Sequence, residues 1–500
     1  MDVRLMHPDR ALDLAAPEPR GSSATAADLE LDLLWDAMAA GDAFVRSVVR
    51  AVTLRPATDE ATIAHRHAVL ADCRADPDLV AELEAVTARA VTAERRAASW
   101  LFGRTPQMAL RHAVQVLGLL ADDLDELRAV VERHAGRVRS AGWQHVVATV
   151  RRDLDDAYLA ELRGQVDHLA LQDGLVASAH LDVGGTVTGV VLRRGRPENR
   201  RRLRHNPLHR PTLSWTVPDR DEGGFRALGE LQDRAVAAVA VVALRAAEHV
   251  QSFFDALRTE LAFYRACLNL DAVLAERGVT TCLPATRPLG EATLLADAVY
   301  DPCLVLRTGR PAVANDVRLD GRALLVVTGA NHGGKSTLLR ALGVLQLMAQ
   351  AGMPVAARAC TLGLVTGVHT HWAREEDAEL RHGKLDEELV RMSAIVEDVR
   401  PGALLLSNES FSSTNEVEGS AIALGVVRAL LDAGVRVHLV THLYDLASDL
   451  LHDESRPGVF LRAPRQSDAA ASYRLEPGEP LSTSFGRDLY ERVFGEPASA

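Results

Sequence analysis

Apolar residues recur at three- and four-residue spacing from Leu29 to about Leu171, in a stretch rich in Ala, Leu and Val. That period predicts amphipathic helices, with stops near Pro56 and Pro77. The pattern changes over 175–218. Leu175–Leu181, Thr186–Leu192 and Thr212–Val217 read as three short strands. Helical spacing resumes at Phe225 and runs without a proline to Arg277. One helix of ~45 residues would be roughly 70 Å long, longer than a compact domain needs, which suggests a lever or strut. A segment spaced by Pro and Gly, Leu283–Pro311, leads into a final region of alternating buried strands and helices. There Ala323–Thr328 predicts a buried strand and Ser336–Gln350 a helix. Ala403–Asn408 and Val435–Val440 predict two further strands. Residues 1–28 hold Pro8, Pro17, Pro19, Gly21 and a Ser-Ser pair, and predict a mobile tail. The expected organisation is a tail (1–28), a helical core (29–174), a β-containing Arg-rich insertion (175–222), long lever helices (223–298) and an α/β P-loop domain (299–500).

Composition narrows the class. Hydrophobic residues make up 47% and charged residues 25% of 500, which is soluble globular composition with room for several cores. No apolar run approaches the ~18 residues of a membrane span, and the N-terminus lacks the apolar core of a signal peptide. Five scattered cysteines without a C-x-x-C pair argue for reduced thiols in a cytoplasm, and against a disulfide frame or zinc site. At a net charge of −12 the bulk field does not advertise nucleic-acid binding, so any DNA contact must be local.

Of 56 basic residues only two, Lys335 and Lys384, are lysines. Lys335 sits in Gly329-Ala330-Asn331-His332-Gly333-Gly334-Lys335-Ser336-Thr337, a G-x-x-x-x-G-K-S loop between a strand and a helix. Small residues there let backbone N–H groups approach phosphate oxygens, Lys335 reaches the outer phosphates, and Ser336 offers its hydroxyl to Mg²⁺. The loop predicts binding of a nucleoside triphosphate. Asn408-Glu409 ends a strand where ligands bind in such sheets. Glu409 is placed to polarise the attacking water, and Asn408 stands where an aspartate would hold the Mg²⁺ shell. An amide there keeps an oxygen but loses the charge. His442, at the end of the next strand, is placed to sense the γ-phosphate.

Together these segments resemble the ATPase domain of the MutS family of DNA mismatch repair proteins. Thr328–Thr337 is similar to its P-loop with Ala330 and His332 substituted, and Ala349–Ala357 to the stretch that follows. Asn408-Glu409 with Thr414 and Gly419 has the spacing of its Walker B block. Thr441-His442, Tyr473–Gly478 and Ser484–Arg487 resemble its later motifs, in order. Upstream, Thr58–Ile63 with Arg66 resembles the start of the family's helical core, and the long helix its lever. The mismatch-reading N-terminal domain and the connector have no visible counterpart. Ala312 lies where the family often has an aromatic on adenine, just before Asn315, which the resemblance puts in the nucleotide site with ATP. The family loop that reaches a partner subunit's nucleotide becomes Gly383–Glu387, so Lys384 is either a charge for the partner's γ-phosphate or a solvated lysine.

The insertion carries Arg193, Arg194, Arg196, Arg200, Arg201, Arg202, Arg204 and Arg210, a local footprint for phosphate at the position of the family's DNA clamp. A solvated Arg-rich loop is the other reading. The resemblance implies a DNA-binding ATPase acting as an ATP-gated homodimeric clamp, in mismatch repair or recombination-related DNA metabolism, with other repair proteins as possible partners and a cytoplasmic, nucleoid-associated location. Asn408 motivates a second reading, a nucleotide-gated interaction protein with little or no hydrolysis. A third reading, a generic ABC-type subunit of a transporter or another machine, would need an L-S-G-G-Q element that this sequence lacks.

Overall fold

A computed structural model describes residues 1–93, 105–172, 174–194, 216–330, 333–373, 383–464 and 472–481. The chain divides into two compact units. One comprises residues 1–3, 78–138 and 143–258; the other comprises 4–77, 139–142 and 259–500.

The first unit is mostly helical, with helices Pro106–His134, Ala141–Asp153 and Asp156–Leu169. Leu110, Val114, Leu117, Leu120, Leu124 and Leu127 are buried at helical spacing along the first of these. Strands β1 (Ala177–Leu181) and β2 (Val187–Leu192) fall within two of the expected strands and form an antiparallel hairpin. Of the expected third strand, Thr212–Trp215 lie outside the described residues, and Thr216 and Val217 are not in a strand. The long helix is 55 residues, Glu222–Glu276, which is roughly 80 Å at 1.5 Å per residue. Its residues through Arg258 cluster with the first unit, and from Thr259 onward with the second.

The second unit holds two sheets. Strands β3 (Ala285–Arg287), β4 (Leu294–Val299), β5 (Asn315–Arg318) and β7 (Ala359–Gly363) form one, in the order β3-β7-β4-β5. The other contains β6 (Leu324–Gly329), β8 (Val368–Trp372), β9 (Leu404–Asn408), β10 (Arg436–Val440), β11 (Gly458–Ala463) and β12 (Glu476–Pro477), in the order β12-β11-β6-β10-β9-β8. All its pairings are parallel except that of the short edge strand β12. Register aligns Val327 with Val440 and Val440 with Asn408, so three carboxyl strand ends meet at one edge. The helix Lys335–Ala351 packs on β8, β9 and β10 and on the helices Ala43–Thr53 and Glu60–Ala75. It is buried on nearly every side, which explains why its sequence lacks a polar face. Leu324, Val326, Leu405, Val437 and Leu439 share a core with Val427 and Leu430 of the helix Glu416–Asp432.

Three expectations are corrected. Residues 1–28 are not a mobile tail: Val3, Leu5 and Met6 are buried, and Ser22–Asp28 is helical. The reason is a buried carboxylate far along the chain. Glu260 accepts from the backbone N–H groups of Leu5 (2.6 Å), Met6 (3.0 Å) and Leu12 (2.7 Å), which stops those groups seeking water. Second, the helices before Pro77 cluster with the nucleotide-binding sheet, not with the later helices. Arg66 helps to fix them there, donating from Nη1 to the carbonyl of Ala351 (2.9 Å) at the end of the P-loop helix and from Nε to that of Met6 (2.9 Å). Third, β3 and β4 pair with β7, so this sheet region begins before residue 299. Among the described residues no helix is long and apolar enough to cross a membrane.

Candidate functional site

The loop after β6 turns sharply enough to demand glycine. Gly329 has φ +104°, and a Cβ there would lie 2.5 Å from the carbonyl oxygen of Ala463 on the neighbouring strand. Gly334 has φ +87° and starts the helix Lys335–Ala351 without any side-chain cap. The helix therefore presents uncapped N–H groups at its positive end, where an anion is favoured. Lys335 is buried, and its Nζ donates to the carbonyls of Gly329 (2.9 Å) and Ala330 (3.0 Å). Burial pulls its pKa down, and the charge of Glu409 partly opposes this. A buried ammonium held by its own loop's carbonyls, at an uncapped helix start, fits a triphosphate.

Ser336 Oγ donates to Asn408 Oδ1 at 2.8 Å, so the first turn of the helix and the end of β9 meet as a neutral pair. Both oxygens can face a cation. Among the described residues no group of three His, Cys, Asp or Glu is placed to hold a metal ion. Next to Asn408, Glu409 Oε2 lies 3.4 Å from His442 Nδ1. That hydrogen bond is the main reason the Glu409 pKa falls below the usual carboxylate value, with the charges of His442 and Lys335 adding to it. The same bond raises the pKa of His442. Glu409 has φ +55° and Phe411 φ +61°. Left-handed backbone costs a non-glycine residue roughly 1–2 kcal/mol, so the turn that aims Glu409 is strained.

Gly333, Gly334, Lys335, Ser336, Thr337, Asn315, Ala312 and Glu409 line one cleft of about 1080 Å³, a volume suited to a nucleotide. Asn331 and His332 lie outside the described residues. Asn315 does not leave its amide free. Its Oδ1 accepts from Leu475 N (2.7 Å) and its Nδ2 donates to Tyr473 O (3.3 Å), which holds Tyr473 at the cleft. Tyr300 and Tyr473 both line it, so aromatic surface is present although Ala312 provides none. The motif containing Tyr473 was visible in the sequence, but nothing local pointed to its place beside the P-loop. Asp301 also lines the cleft, but Arg340 Nε donates to it at 2.7 Å and its carboxylate caps the helix Pro302–Thr308.

Lys384 is the first residue of the helix Lys384–Asp398 and is exposed, outside the set that lines this cleft. Arg193 and Arg194 follow β2 and are exposed; Arg193 Nε donates to Ser178 Oγ across the hairpin at 2.8 Å. Arg196, Arg200, Arg201, Arg202, Arg204 and Arg210 lie outside the described residues.

The sequence matches the MutS2 N-terminal domain over residues 58–277 and MutS domain V over residues 325–490. It is 30% identical over 209 residues to the DNA mismatch repair protein MutS of Chloroflexus aurantiacus, a stretch covering 40% of this chain and 21% of that protein. It is 32% identical over 211 residues to Endonuclease MutS2 of Solidesulfovibrio magneticus, covering 41% of this chain and 27% of that protein. The chain thus spans about a quarter of the length of these curated relatives. Two domain models matched in chain order, the second of them containing the P-loop, lead to one assignment: the chain belongs to the MutS family.

Proposed function

We propose that this chain is a DNA-binding ATPase that closes on DNA as a dimer, using nucleotide state to control its grip. The observation that carries the reading is the cleft in which buried Lys335 and the ionised Glu409 face one another beside an uncapped helix start. Gly329–Thr337 cradles the phosphates of ATP, Lys335 neutralises the outer ones, and Glu409 takes the proton of the attacking water. Ser336 and Asn408 would hold Mg²⁺ together with the phosphates, and the ion would supply charge neutralisation there. His442 holds Glu409 and stands ready to sense the γ-phosphate. The relatives named above are a mismatch repair protein and an endonuclease. DNA is the partner this reading carries over, in mismatch repair or recombination-related metabolism, from the cytoplasm and its nucleoid. Lys384 is a candidate for contact with the nucleotide of a second copy. Steady-state Mg²⁺-ATPase of the wild type against Glu409→Gln is the direct test, and equal turnover in both would sink the enzyme reading.

DNA contact is assigned to the arginines from Arg193 to Arg210, because a chain at −12 needs local neutralisation. Replacing Arg200, Arg201, Arg202 and Arg204 by Ala should weaken binding to any duplex sequence. It should flatten the slope of log affinity against log salt by up to ~4 units, roughly 0.9 per lost contact. ATP affinity should be retained. Equal affinity and slope in a salt titration would leave the insertion a solvated loop.

A second reading, a nucleotide-gated interaction protein with little hydrolysis, is favoured by the neutral Ser336–Asn408 pair. It makes its own prediction. Asn408→Asp should lower the Mg²⁺ concentration for half-maximal hydrolysis on the order of tenfold, since ~1.4 kcal/mol of added attraction is that factor. An unchanged or higher requirement in a Mg²⁺ titration would mean the metal is retained without help from this position.

A further inference from the structure

The turn that carries Glu409 is held from a direction that none of the nucleotide motifs reports. Glu388, one turn into the helix Lys384–Asp398, is buried, and its Oε2 accepts from the backbone N–H of Phe411 at 2.5 Å. Phe411 is two residues beyond Glu409, and both have left-handed backbone. A histidine locks the same turn from β8. His371 is buried, and its Nε2 lies 3.1 Å from the carbonyl oxygen of Glu388. A carbonyl only accepts, so Nε2 carries the proton, and in the neutral ring Nδ1 is then an acceptor. Ser410 Oγ lies 2.6 Å from that Nδ1, 2.7 Å from Ser407 Oγ and 3.2 Å from the carbonyl oxygen of His371, so it ties the turn to β8. Ser407, Ser410, His371 and Glu388 thus form one connected set of contacts behind the turn. The His371 ring also stacks on Phe411, with centroids 5.6 Å apart and planes at 26°.

Ser410 and Phe411, which follow Glu409 in the strained turn, are thus tied to β8 and to the helix beginning at Lys384. We propose that Glu388, with His371 and Ser410 behind it, is a positioning residue for Glu409: it holds the strained 409–411 turn so that the Glu409 carboxylate stays aimed into the cleft. This inference rests on the reading of Glu409 as the base. It goes further in making the helix that starts at Lys384 the element through which anything that engages Lys384 reaches the hydrolytic turn.

Full-length protein separates a positioning role from a general structural one. Glu388→Ala loses the acceptor for the Phe411 N–H, and its kcat should fall about tenfold to a hundredfold, the scale of an ångström of misplacement. Its affinity for a non-hydrolysable ATP analogue should be retained, because the P-loop is untouched. Glu388→Gln keeps an acceptor oxygen and should recover most of kcat. Glu388→Ala added to Glu409→Gln should cost nothing more, since the residue acts only through Glu409. Ser410→Ala, which breaks the contacts behind His371, should lower kcat in the same direction, and it serves as the test if Glu388→Ala does not fold. A kcat for Glu388→Ala or Ser410→Ala equal to wild type overturns the inference. So does a parallel loss of analogue affinity, or an added loss in the Glu409→Gln background. If wild type and Glu409→Gln turn over equally, the base assignment itself has failed and this inference falls with it.

Discussion

Lys335→Ala should abolish measurable ATP binding while leaving the fold in place. Charge-assisted hydrogen bonds contribute roughly 1.5–3 kcal/mol each. Loss of two, to the outer phosphates, weakens affinity by on the order of a hundredfold or more. The structural cost is small for a reason visible at the site. Lys335 Nζ donates to the carbonyls of Gly329 and Ala330, and burial already disfavours its charge, as the lowered pKa records. Removing it relieves that burial at the expense of two charge-assisted hydrogen bonds to backbone carbonyls, and because the two effects oppose each other the thermal midpoint should move little. Calorimetric titration with ATP is the measurement. Wild-type affinity in the mutant would refute the phosphate assignment, and a collapsed unfolding transition would show that the ammonium is part of the core.

How far the sequence led depends on whether a feature is local. Strands β6, β9 and β10 and the P-loop helix fall within a residue or two of their apolar runs, because each run is bounded by turn or polar residues. The P-loop is legible for the same reason, since spacing within nine residues defines it. What stayed hidden is long-range. Prolines near residue 20 look like the marks of a loose tail, and nothing nearby reveals that Glu260 holds Leu5, Met6 and Leu12. The helix Glu60–Ala75 reads as part of a helical domain, and long-range contacts such as that of Arg66 with Ala351 place it with the sheet. Tyr473 reaches the cleft through Asn315, 158 residues away. Glu388 looks like one more acidic residue in a helix start, where Asp386 and Glu387 precede it. Its burial against the turn of Glu409 is a tertiary fact that helical periodicity does not carry.

Glu409→Gln should reduce ATP turnover about a hundredfold to ten-thousandfold, the range of a lost general base, with ATP still bound. The pH profile then reports who holds that base. In the folded protein the Glu409 pKa is depressed, first by the hydrogen bond from His442, so the carboxylate stays ionised into acid below its usual range. His442 is shifted the other way by the same bond. The signs give a window. The Glu409 contribution to stability is present above its unfolded value and is lost as pH falls through its lowered folded pKa. The His442 contribution is present below about 6.5 and is lost as pH rises through its raised folded value. Both side chains are about a third exposed, so solvent screens the pair and its effect on stability is modest. Its effect on the base is not. His442→Ala deletes the largest cause that lowers the Glu409 pKa and leaves burial, which raises it, so the acid limb of kcat should move to higher pH. An acid limb in His442→Ala that coincides with wild type, measured from pH 4 to 9 at saturating Mg²⁺-ATP, would mean that a group other than Glu409 sets the limb.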